Sequence, residues 1–279
     1  MTINFTTTAP RRAAPVTRLL AIGLLLAGGV LLPAARAAAT ERRFGYVYGS
    51  GVLIPGDVEL ESWTTARLGR STFYDRFDER LELEVGLTER LQTAFYLNFA
   101  GLAEDRMGVR VHEFELEGVS SEWKLKLLDP VADPIGLALY WELSAGPTEV
   151  ELEAKVILDR RFGRFLAALN VVGAYELEFA EVGVLEGEAE LEIDAGFGVF
   201  ITPALFAGLE LRNHNAISAD GWEYSVLFLG PTFSFAQPTW WMSLSLMPQV
   251  GAIAGATEGP FNLADHERLE ARLLFGIHL

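Results

Sequence analysis

Apolar and polar residues alternate with a period of two over most of this chain, most clearly between Phe77 and Ala100. Leu81, Leu83 and Val85 alternate with Arg80, Glu82 and Glu84, and after Gly86-Leu87-Thr88-Glu89-Arg90 the alternation resumes with Leu91, Thr93, Phe95, Leu97 and Phe99. A period of two puts each set on one face of a strand, whereas a helix would scatter the glutamates around its surface. The stretch predicts a hairpin with one greasy face and one charged face. The same reading predicts further strands at about 57–68, 111–127, 135–145, 149–158, 165–179, 186–199, 204–212, 222–235, 240–252 and 268–279, twelve with the hairpin.

An even number of short antiparallel strands, the last ending on the final residue, is the pattern of a transmembrane β-barrel. The last strand places Leu269, Ala271, Leu273, Phe275, Ile277 and Leu279 on one parity and Arg268, Glu270, Arg272 and His278 on the other, with Leu274 as an exception. The expected fold is therefore all-β, an antiparallel barrel of about twelve strands over residues 57–279, preceded at 40–56 by an arm or short extra strand. Turns near 86–90, 159–163, 200–203 and 236–239 are short and are expected at the periplasmic end. Connections near 103–110, 180–185, 213–221 and 255–267 are longer and are expected at the outer end. The fourth strand changes parity across Gly118-Val119-Ser120-Ser121 and the tenth across Gly230-Pro231, so a bulge or kink is predicted at each. Trp222, Tyr224, Trp240 and Trp241 open strands where interfacial aromatics belong.

Residues 1–39 stand apart. Arg11, Arg12 and Arg18 precede an apolar run from Leu19 to Leu32, followed by Ala35-Arg36-Ala37-Ala38-Ala39. A basic start, a short apolar run and small residues at the end are the three parts of a secretory signal peptide. Its loss removes four cations and no acid, taking the net charge from −16 to about −20. Such charge makes nucleic acid an improbable partner. Half of the residues are hydrophobic and the mean hydropathy is +0.23 despite the many glutamates, so the apolar side chains need a destination besides one core. Outer-membrane lipid is the expected one, reached with the help of the barrel-insertion machinery.

If the greasy parity meets lipid, the other parity lines the lumen. Candidate lumen or solute-binding residues are Glu59, Glu61, Arg80, Glu82, Glu84, Glu151, Glu153, Lys155, Glu190, Glu192, Glu210 and Arg212. An interior so acidic must hold water, counterions or Arg and Lys bridges. It can act as a passage or binding site for small solutes or cations. It can equally be cross-linked into a plugged structural barrel, and a soluble periplasmic β-sandwich or lipocalin-like binder is a third reading of one greasy face.

Catalytic patterns are sparse, and the expectation is no enzyme, no cofactor and no metal. His112, His214 and His266 fall near outer loops with Asp105, Asp220 and Asp265, but without ligand spacing. Surface histidines are the simpler reading. Ser120 and Ser121 share a strand with His112 and make no nucleophile-base pair across strands.

Several longer segments carry a resemblance. The turn 84–91 (EVGLTERL), the run 118–124 (GVSSEWK) leading to Leu127-Leu128-Asp129-Pro130 and 133–140 (DPIGLALY), and Leu229-Gly230-Pro231-Thr232 with Trp240-Trp241 resemble Gram-negative outer-membrane barrels. That family has no established activity. It is similar to transporter-like barrels of the meta-pathway of phenol degradation. The resemblance spans most of the chain after residue 39 and implies the fold and the outer-membrane address. It implies no catalytic residue.

Overall fold

A computed structural model describes residues 41–179, 185–218 and 221–279. The signal peptide predicted at 1–39 lies outside the described residues, as do the centres of the connections near 180–184 and 219–220. The fold is a closed antiparallel barrel of twelve strands: β1 (Val58–Leu68), β2 (Tyr74–Gly86), β3 (Leu91–Arg106), β4 (Val109–Leu128), β5 (Gly136–Ala145), β6 (Glu149–Phe162), β7 (Phe165–Phe179), β8 (Leu185–Phe200), β9 (Leu205–Ser218), β10 (Gly221–Gln237), β11 (Trp240–Ala254) and β12 (Leu269–His278). Each strand pairs with its neighbours in sequence, and β1 pairs with β12 from Glu59↔His278 to Leu68↔Leu269. No strand edge is left open, which satisfies the backbone groups that lipid cannot.

The faces divide as the alternation predicts. Leu81, Leu83, Phe95 and Leu97 are exposed on the outside, whereas Glu82 and Glu84 are buried inside. Leu60, Leu139, Leu143, Leu209, Leu244 and Leu273 extend this belt around the barrel. Water does not tolerate so continuous an apolar exterior, and a bilayer does. Outward-facing rings cluster at the end that carries the short turns, with Phe165 stacked on Phe162 and Phe197 at 5.9 Å, Phe162 tilted against Phe197 at 6.3 Å, and Trp240 against Phe235 and Phe275 at 5.6 and 5.9 Å. This end, where β1 begins, is called the turn end below and the opposite one the loop end. The β-sandwich and lipocalin-like alternatives do not describe this architecture.

One expected bulge holds, and several other expectations need correction. The bulge in β4 is present, since Asn98 pairs with Gly118 and Phe99 with Leu116, leaving Glu117 as the extra residue. None occurs at Gly230-Pro231, where the β9 register runs unbroken; the bulged residue facing β9 is instead Glu223. From Tyr224 onward the even-numbered residues of β10 face inward, so Val226 and Phe228 are fully buried in the lumen and not presented to lipid, whereas Trp222, before the bulge, is exposed. Leu274 and Trp241 likewise point inward and are fully buried. The long outer loop expected at 103–110 is strand on both sides, reversing at Met107 and Gly108 (φ +52° and +81°). Strand pairing extends past the bilayer belt, so polar sequence there codes for protruding hairpin. The longer loop expected at 213–221 is likewise mostly strand, since β9 runs to Ser218 and β10 starts at Gly221, and among the described loop-end connections the one between β11 and β12 is long.

Inward apolar residues need something apolar to meet. That partner is the segment before β1.

Candidate functional site

Residues 41–54 form neither a strand nor an exposed tail: they run through the lumen, mainly in its turn-end half. Phe44, Tyr46, Val47, Tyr48, Val52 and Leu53 are all at most 7% exposed. Phe44 and Val47 pack on Ala168 and Phe206; Tyr46 packs on Val226, Phe228 and Met247; Tyr48 packs with Trp63, Tyr140, Trp241 and Leu274. The inward apolar residues of β10, β11 and β12 are thus the bed of this arm. Burying one such side chain is worth about 2 kcal/mol, while fixing each arm residue costs about 1–2 kcal/mol. The two nearly offset, so the polar contacts decide whether the arm stays.

Those contacts are specific and come from wall residues of five strands. The Glu210 carboxylate on β9 accepts the backbone N–H groups of Gly45, Tyr46 and Val47 at 2.9, 2.8 and 3.0 Å, and the Ser245 hydroxyl on β11. Asn170 on β7 accepts from Tyr48 N at 2.6 Å and donates to Tyr48 O at 3.1 Å. Asp159 on β6 accepts from Ser50 N at 3.3 Å and Ser50 Oγ at 2.5 Å. Gln92 on β3 accepts from Leu53 N at 2.9 Å. Gly45 permits this approach, since a Cβ there would stand 2.6 Å from Ser245 Oγ. The arm leaves through a turn in which Gly56 (φ +88°) donates to Gly86 O at 2.8 Å before β1 begins.

Cations seated on rings complete the plug. Arg42 of the arm lies 3.7 Å from the Tyr48 ring centroid and 4.4 Å from that of Trp63. Lys155 stands over Tyr48 and Tyr140, Arg80 over Tyr96, and Arg212 and Arg272 over Tyr46 at 4.3 and 3.9 Å. Desolvated contacts of this kind contribute about 2 kcal/mol each.

All twelve candidate lumen residues face inward, in two settings. Glu59, Glu61, Glu82 and Glu84 lie low in the lumen, where Trp241 Nε1 donates to Glu59, Trp63 Nε1 donates to Glu61 at 2.7 Å and Gln92 donates to Glu84. Higher up, Arg80 pairs with Glu142 and Lys155 with Glu153 at 2.8 Å. Arg212 reaches Glu192 at 2.7 Å, Glu270 at 2.6 Å and Asp194 at 3.8 Å. Glu151 and Glu190 are only partly buried, on the loop-end side of these pairs. Sequence reasoning missed Asn170, Asp159, Gln92 and Ser245. Asn170 offered a signal, as a lone amide in the apolar run Phe165-Leu166-Ala167-Ala168-Leu169-Asn170-Val171-Val172.

The long connection from 255 to 268 turns into the loop end. Gln249 Nε2 donates to Asn262 O and Glu267 O at 2.9 and 3.1 Å, its Oε1 accepts from Asn262 N at 2.8 Å, and Ser71 N donates to Leu263 O at 2.8 Å. Asn262, Leu263, His266 and Glu267 are consequently buried. Arg70 donates to Glu267 Oε1 at 2.6 and 3.0 Å. His266 lands against His214 and Tyr224, with ring centroids 4.8 and 4.6 Å away. The surface-histidine expectation therefore holds for His112, which is exposed, and fails for His214 and His266.

Two solved outer-membrane barrels share this fold. An outer-membrane channel from Pseudomonas putida F1 is 11% identical over 82% of this chain and 98% of its own, with a TM-score of 0.62. The NanC porin is 10% identical over 79% of this chain and all of its own, with a TM-score of 0.54. Curated protein sequences give no match. A family model covers both halves of the barrel, at residues 36–157 and 168–279, and the chain belongs to that family of unknown function, DUF6662.

Proposed function

We propose that this protein is an outer-membrane channel for small solutes, held shut by its own N-terminal arm. Its turn end faces the periplasm. One observation carries the reading: the lumen is lined with polar side chains whose partners are backbone groups of residues 45–53, a segment that continues into the wall through the turn at 54–57. A permanent core would need no such removable contacts, and a wall that binds a peptide backbone can release it. The likeness to an outer-membrane channel and a porin supports passive passage. Beyond the arm, Glu149, Glu176 and Glu178 hold carboxylate oxygens within 4.8 Å of one another, with Glu151, Glu188 and Glu190 on the same inward parity. That field favours cations and basic solutes over anions.

The test locks the arm and then frees it. The chain has no cysteine, and a Cβ at position 45 would lie 2.9 Å from Cβ of Ser245, so the pair Gly45→Cys and Ser245→Cys forms a disulfide after a small relaxation. In planar bilayers the oxidised protein stays closed and the reduced protein shows cation-preferring openings. Silence in both states at every voltage supports the second reading, a structural barrel whose plug never leaves, which the number of arm contacts also favours.

A further inference from the structure

We infer that the loop-end half of the lumen holds a binding site for a divalent transition-metal ion of the zinc class, formed by Glu190 and Glu192 of β8 and His214 of β9. Glu192 and His214 are direct cross-strand partners, and Glu190 is the next inward residue of β8. The ligand atoms of all three lie within 4.8 Å of one another. His214 Nε2 stands 3.2 Å from Glu190 Oε2 and 3.9 Å from Glu192 Oε1.

The independent observation is the state of that nitrogen. His214 is 9% exposed, its Nε2 is inaccessible to water, and it makes no well-aligned hydrogen bond although it stands 3.2 Å from a Glu190 oxygen and 3.9 Å from one of Glu192. A neutral imidazole nitrogen and a carboxylate oxygen are both acceptors, and facing each other they repel unless a cation or a proton stands between them. The same nook contains a second such atom: Nε2 of His266 is also buried and unpartnered, in a residue 4% exposed. His266 and Tyr224 pack edge-on against the His214 ring at 4.8 and 5.7 Å and fix its direction, as supporting groups around metal ligands do.

Ligand chemistry selects the ion. Imidazole with carboxylates suits zinc and its neighbours, whereas calcium and magnesium prefer an all-oxygen shell. The nearest cationic group, Arg212, does not cancel the local charge, because it is shared among Glu192, Asp194 and Glu270. Glu192 receives Arg212 on Oε1, the oxygen 3.9 Å from His214 Nε2, so the ion shares that carboxylate with the guanidinium. Glu190 is partly exposed, which leaves a path from the loop end that does not cross the arm. The site is therefore independent of whether the arm moves.

The experiment is calorimetric titration of the intact barrel in detergent with Zn2+ alone, repeated with Ca2+ and Mg2+, and followed by Co2+ absorption spectroscopy to report imidazole coordination. The wild type takes up one equivalent of Zn2+ with saturation, and Ca2+ and Mg2+ bind more than about tenfold more weakly. His214→Ala lowers zinc affinity by more than about tenfold and removes the Co2+ ligand-field bands, and Glu190→Gln/Glu192→Gln, which preserves packing, does the same. His112→Ala leaves both unchanged. Heat-modifiable gel mobility confirms that each variant is a closed barrel, and the Gln pair decides the matter if the His variant does not fold. Absence of saturable zinc uptake by the folded wild type means that a proton alone bridges His214 and Glu190, and overturns the inference. So does uptake that is unchanged in both variants.

Discussion

Replacing Glu210 by Ala should unseat the arm. The carboxylate is fully buried and accepts three consecutive backbone N–H groups of residues 45–47. Hydrogen bonds to a charged group contribute about 1.5–3 kcal/mol each. Gly45 N keeps an alternative acceptor in Ser245 Oγ at 3.1 Å, and water can reach the other two once the carboxylate is gone. A net loss of about 3 kcal/mol follows, or about a hundredfold in the equilibrium between seated and released arm. The readout is a single cysteine in place of Val47, which is 2% exposed and close in size to cysteine. Its maleimide reactivity tracks the released population when seating is fast. Reactivity should rise about a hundredfold in Glu210→Ala, with a parallel rise in open probability in bilayers, and Glu210→Gln should fall between it and the parent. If the folded variant reacts within about twofold of the parent, the apolar bed holds the arm and the polar contacts are incidental.

Asn170→Asp keeps the acceptor for Tyr48 N and loses the donor to Tyr48 O, so it should weaken seating by about 1 kcal/mol, visible as about a fivefold rise in the same labelling assay. Gly276→Ala puts a Cβ 2.4 Å from the Trp241 indole and 2.6 Å from Glu59 Oε1 beside the β1–β12 seam, and should cost about 1–3 kcal/mol, seen as a lower temperature of heat-modified migration. The turn at 129–135 should be acid-sensitive. Lys126 and the backbone N–H groups of Val131 and Ala132 hold the Asp129 carboxyl down at about 2, against an ordinary value of 3.8. A depressed carboxyl stabilises the turn fully above 3.8 and loses that contribution as pH falls through about 2, so the Val131 and Ala132 amides should exchange faster only in that window, and in Asp129→Asn at all pH.

Much of this architecture is legible in the sequence because lipid imposes a simple code. Leu81, Leu83, Phe95 and Leu97 alternate cleanly since one neighbour is always hydrocarbon and the other always wall. The code fails where the interior is itself apolar. Val226, Phe228 and Leu274 read as lipid-facing or exceptional because nothing local tells that Tyr46 and Tyr48, far back in the chain, will lie against them. Phe44, Tyr46 and Tyr48 alternate like a strand, which leaves an arm and a short extra strand equally open for residues 40–56. Their backbone groups instead bond to wall side chains, a choice set by Glu210 and Asn170 more than a hundred residues away. The pairing of His214 with His266 was equally hidden, since it depends on a loop folding inward.

The arm also dictates the order of events by which the molecule is made. Gly45 and Ser245 are 200 positions apart, and the groove that receives residues 44–53 exists only when β3, β6, β7, β9 and β11 already curve around it. The earliest part of the barrel chain to be synthesised is then among the latest to find its place, after β1 and β12 approach each other or as they do so. Until then Phe44, Tyr46 and Tyr48 are adhesive and unprotected. Occupancy of the lumen thus doubles as a record that closure is complete, and a protease confined to the turn-end compartment could distinguish finished molecules from unfinished ones by that segment alone.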